Sequence, residues 1–60
     1  MQSDYDQKLA KKMISSIKTC AAAYLNYASQ LEDENLKRLF SQLAEEEEKS
    51  IQQLNSLFNQ

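Results

Sequence analysis

Sixty residues carrying a net charge of −2 allow one small domain, and chains this short usually need a disulfide, a metal or oligomerisation to complete their burial. A single cysteine, Cys20, excludes an intrachain disulfide, and the absence of histidine removes the commonest ligand of zinc and iron. Glycine and proline are also absent, which argues against tight-turned strands and a loop-rich fold and leaves an all-α chain in which self-association supplies the missing burial.

The N-terminal Ser3-Asp4-Tyr5-Asp6 is polar and acidic, unlike a secretory signal. Together with a free cysteine it fits a reducing, cytoplasmic setting. Ser3 is placed to cap a first helix, with Asp6 three residues on. That helix is predicted over about residues 4–31. Ala10, Met13, Ile17, Cys20, Tyr24, Tyr27 and Leu31 recur alternately three and four apart, as an apolar stripe does on one helical face. Ile14, Ala21 and Ala28 widen the stripe on one side; Leu9 and Ala23 widen it on the other. Lys11, Lys12 and Lys18 read as a solvated face, and no basic stripe suited to nucleic acid is present. No apolar run is long enough for membrane insertion.

Residues 32–33 are predicted to turn, with Asp33 capping a second helix over about 34–58. Leu36, Phe40, Leu43, Glu47, Ser50, Leu54 and Leu57 form its stripe, flanked by Leu39, Ala44, Ile51 and Phe58. The first stripe carried forward lands on Glu34, Arg38, Ser41, Glu45, Glu48, Gln52 and Asn55, all polar. The apolar phase therefore slips by two residues, about 200° around the axis. One continuous rod would set its apolar halves on opposite sides, so the expected fold is an antiparallel helical hairpin. In that hairpin Tyr27 is expected opposite Phe40, Tyr24 opposite Leu43, and Cys20 opposite Glu47. Glu34 with Arg38 and Glu45 with Lys49 are favourable i,i+4 pairs.

Two helices make a groove rather than a core. Two hairpins packed groove to groove would make a four-helix bundle, with a homodimer as the simplest symmetric solution. Ile17, Tyr24, Tyr27, Phe40, Leu43, Ile51 and Leu54 are the expected dimer core. Glu47 interrupts that core, where an ionised carboxylate must be paired, hydrogen-bonded or metal-bound. The leading explanation is structural: a layer near a solvated edge, or a register-setting Glu47 that is protonated or hydrogen-bonded to Tyr24 or Tyr27. The alternatives are a subunit-interface metal site built from Glu47 and Cys20, or a redox role for Cys20. The run Glu45 to Glu48 points all around its helix and reads as solvated.

The stretches Ala23-Tyr24-Leu25-Asn26-Tyr27-Ala28, Asp33 to Phe40 and Leu43-Ala44-Glu45-Glu46-Glu47 resemble half of a ferritin-like bundle, as in rubrerythrin-type domains and spore coat F-type proteins. Members of that superfamily carry a glutamate on the first helix of a pair and Glu-x-x-His on the second. Those positions fall here on Cys20, and on Glu47 and Ser50. The resemblance implies a bacterial, spore-associated structural role without a working di-iron site. The function expected is non-enzymatic: a structural or interaction protein that binds itself and needs no cofactor. A metal-binding ferritin-like protein is the alternative, and an adaptor accepting another protein's helix is a third reading.

Overall fold

The computed structural model describes residues 3–58. Helix α1 spans Asp4–Gln30 and helix α2 spans Glu34–Phe58; they pack as an antiparallel hairpin, with no strand among the described residues. The side chain of Phe58 and the Asn59-Gln60 end lie outside the described part.

Each helix begins where a side chain can satisfy its first free N–H groups. Ser3 is extended (φ −75°, ψ 161°), and its Oγ accepts from the Asp6 N–H at 3.0 Å. Asp4 and Asp6 put negative charge at the positive end of the α1 dipole. At α2, Asp33 Oδ1 accepts from the Leu36 N–H at 2.9 Å, and the Asp33 carbonyl accepts from the Lys37 N–H at 3.0 Å. Glu34 then meets Lys37 at 4.0 Å, rather than the Arg38 one residue further on.

The turn explains how a chain without glycine reverses direction. α1 ends at Gln30, and Leu31 leaves it with φ −75° and ψ 146°, its N–H donating to the Tyr27 carbonyl at 3.1 Å. No described residue has positive φ, so the left-handed cap that favours glycine is not used. Extended backbone at Leu31 followed by the Asp33 cap does the work instead.

The seam between the helices lies one position round the wheel from the apolar stripe. Its buried members are Ile14, Ala21 and Ala28 on α1 and Ala44 and Ile51 on α2. Ala10, Ile17, Tyr24 and Leu31, then Phe40, Glu47 and Leu54, alternate with them and are half-buried. This is a heptad seam with the flanking residues of the stripe, three alanines and two isoleucines, at its centre. Met13 and Tyr27, expected within it, are 57% and 56% exposed. Tyr24 packs edge to face on Phe40, ring centroids 6.3 Å apart at 68°. It thus replaces Tyr27 as the expected partner of Phe40. Side-chain size contributes: alanines occupy the buried positions at 21, 28 and 44, and isoleucines those at 14 and 51, further from the turn.

The result is a long, thin body, 47 × 16 × 10 Å across its Cα atoms, with a radius of gyration of 14.2 Å. A compact 60-residue domain would have a radius of about 10 Å.

Candidate functional site

The seam positions assign every other residue to a side of the hairpin. In an antiparallel heptad pair, the residues just before each buried position lie on one shared side, and those just before the half-buried positions extend it. Met13, Cys20 and Tyr27 of α1 and Leu36, Leu43, Ser50 and Leu57 of α2 therefore share one face. Leu9 and Leu39 sit beside them, further round the same wheels.

Among the described residues, six of the eight large apolar side chains that are strongly exposed fall on this face: Leu9, Met13, Tyr27, Leu36, Leu39 and Leu57. Only Leu25 and Tyr5 lie elsewhere, so the exposure is concentrated rather than scattered. The other side carries Lys11, Lys18, Glu32, Ser41, Glu48 and Asn55 beside Leu25. A groove of about 450 Å³ between Asp6 and Ser16, lined by Leu9, Ala10, Lys12 and Met13 as well, runs along the open face near the start of α1. Accessible surface totals 4970 Å² for 6.9 kDa. A compact monomer of that mass would expose about 4,000 Å². The excess, about 1,000 Å², is close to one partner's share of a standard protein interface.

Of the residues expected in a dimer core, Ile51 is buried inside the hairpin itself. Ile17, Tyr24, Phe40, Leu43 and Leu54 are half-buried, and Tyr27 is exposed. Leu9, Met13, Leu36 and Leu39 complete the open face. The width of the apolar stripe was the signal for them, because a two-helix seam covers only half of so broad a band.

Cys20, Tyr24 and Glu47 form a polar group at mid-height of this face. Cys20 and Tyr24 are one turn apart on α1, and both are half-buried, as is Glu47 across the seam. The Tyr24 phenol has its pKa raised above 10.0. The side-chain interaction with Cys20 contributes most, followed by thiolate charge, partial burial and the negative charge of Glu47. Ser50, expected in the same layer, turns its hydroxyl back to the Glu46 carbonyl at 3.2 Å. Among the described residues, no three His, Cys, Asp or Glu side chains converge as metal ligands would. No helix among them is long and apolar enough to cross a membrane.

This architecture defines the class: an all-α antiparallel hairpin with one broad apolar face open to solvent. The sequence matches, over residues 10–57, the family described as "Protein of unknown function (DUF1657)". That span is most of the chain, which therefore belongs to this family. No curated protein and no solved structure matches it. The family match overturns the resemblance to ferritin-like, rubrerythrin-type and spore coat F-type proteins. Amphipathic hairpins share Leu-, Ala- and Glu-rich runs with aromatic stripe positions whatever their ancestry, and two of the three ligand positions that would have marked the superfamily hold Cys20 and Ser50.

Proposed function

We propose that this chain is an interaction protein rather than an enzyme, and that it pairs with a second copy through the open face to complete a four-helix bundle. One observation carries the reading. On both helices the apolar stripe is turned from the intrachain seam by one wheel position, about 50°, towards the same side. In a four-helix bundle each helix has two neighbours, and its apolar stripe must point between them. A self-sufficient hairpin would centre the stripe on its single seam.

A second copy is the occupant that fits best. α1 carries four lysines against two aspartates, a net +2. α2 carries three cations against five glutamates, a net −2. Each hairpin therefore offers both signs to its own duplicate. The face measures 47 × 16 Å between Cα extremes, about 750 Å², a typical area per partner for a stable pair.

Sedimentation equilibrium at micromolar concentration tests this directly. Twice the chain mass is expected, with helical circular dichroism that declines on dilution as the dimer dissociates. A folded monomer of undiminished helicity would overturn the reading.

A further inference from the structure

We infer that the two copies pair with their turns at the same end, so that α1 of each copy lies along α2 of the other. This rests on the dimer proposed above and specifies how its open faces meet. A two-fold axis joining the two faces has two simple orientations. Parallel to the helices, it sets α1 against the second copy's α2. Perpendicular to them and in the plane of the interface, it sets α1 on α1 and α2 on α2, with the turns at opposite ends.

Charge separates the two. The parallel axis gives every helix neighbours of opposite net sign, because α1 is net positive and α2 net negative. The perpendicular axis stacks the two net-negative α2 helices on each other. Like charges set side by side oppose association.

Glu47 separates them further. It is half-buried at the edge of the open face. Stacking α2 on α2 puts the two Glu47 carboxylates on adjacent helices, roughly 8–10 Å between axes. The parallel axis puts them on diagonal helices instead. Each then lies between two α1 helices, its own and the second copy's, with Cys20 and Tyr24 on both sides as the nearest donors. The arrangement gives a costly charge more hydrogen-bonding partners and removes its like-charged neighbour.

Register agrees as well. A two-fold axis along the helices preserves height, so α1 meets the second copy's α2 in the register it has with its own. Within the chain, that register is marked by the contact of Tyr24 with Phe40. The same levels recur across the dimer. Apolar positions meet apolar ones, and the polar layer meets itself without any sliding.

Spin labels test the orientation. Glu32 is exposed beside the turn, and Glu32→Cys in a Cys20→Ser background gives one label per chain. Pulsed dipolar spectroscopy of the dimer should return a distance of about 20–30 Å, one interlayer spacing plus the outward reach of a label on each outer side. A distance approaching the 47 Å length of the hairpin would overturn the orientation while leaving the dimer intact. A monomeric mass for the unlabelled wild-type chain would overturn both. Should Cys20→Ser unfold the chain, Cys20→Ala provides the background, with the same two distances deciding.

Discussion

The ring of Tyr24 meets Phe40 edge to face, with centroids 6.3 Å apart, and so locks the two helices together within two turns of the loop. Ring pairs of this geometry contribute about 0.5–1.5 kcal/mol beyond the area they bury. A double-mutant cycle of Tyr24→Ala and Phe40→Ala, followed by urea unfolding at fixed protein concentration, should show a coupling in that range. Tyr24→Phe keeps the ring and should preserve most of it. Strict additivity of the two alanine variants would show that the rings do not stabilise one another.

The hydroxyl of the same tyrosine gives a pH dependence with a defined sign. Its pKa is raised above 10.0, chiefly by the interaction with Cys20 and then by nearby negative charge. The folded chain therefore holds a proton that the unfolded chain releases more readily. The contribution is fully present below pH 10 and fades as pH climbs from there through the raised folded value. The melting temperature should fall above pH 10, less steeply in Tyr24→Phe. Cys20→Ala should shift one phenolate absorbance step to lower pH. An unchanged titration in that variant would contradict the Cys20 contact.

Met13 and Leu25 are nearly equally exposed, at 57% and 54%, but lie on opposite sides of the hairpin. Met13→Glu should weaken self-association at least about tenfold, since a carboxylate forced into an apolar contact costs well over the ~1.4 kcal/mol that factor represents. Leu25→Glu should leave the association constant unchanged. Equal effects from the two variants, read by sedimentation equilibrium, would show that the face bearing Met13 has no special role.

The hairpin itself was legible because the phase slip between residues 31 and 34 is a backbone-level signal. No single helix can keep Tyr24 and Phe40 on one side. The caps were legible too, because Ser3 and Asp33 have only local work to do. The exact seam was not. Periodicity marks the middle of an apolar band, which runs through Met13, Cys20 and Tyr27. Where two helices bury each other depends on side-chain volume as well, and the buried line runs through Ile14, Ala21, Ala28, Ala44 and Ile51 instead. The mismatch is itself informative, because a band broader than its seam implies another neighbour. Ancestry was misread for a related reason: composition and stripe spacing report architecture, which unrelated hairpins share.

Asp33 holds the turn by accepting from the Leu36 N–H at 2.9 Å. Asp33→Ala should cost about 1 kcal/mol in urea unfolding, with Asp33→Asn recovering most of it, because asparagine caps comparably. Neither change touches the open face, so the association constant of the folded chain should stay the same. A loss of association matching the loss of stability would mean that the turn is part of the contact surface.

Glu47 is the clearest conflict between local cost and the surrounding apolar pattern. It sits half-buried at a d position, between Phe40 and Leu54 on the same stripe. Replacing it with leucine removes a desolvation penalty and extends the apolar layer, so Glu47→Leu should raise stability by about 1–2 kcal/mol. The gain should carry a loss of definition. Without the carboxylates, the parallel and perpendicular axes differ less in energy, and the label distance at residue 32 should broaden or split into two populations. Single buried polar residues fix register in coiled coils by this means. A stabilised Glu47→Leu dimer with one short distance would show that helix charge alone sets the orientation. A destabilised one would show that the carboxylate makes hydrogen bonds whose loss outweighs the desolvation it relieves.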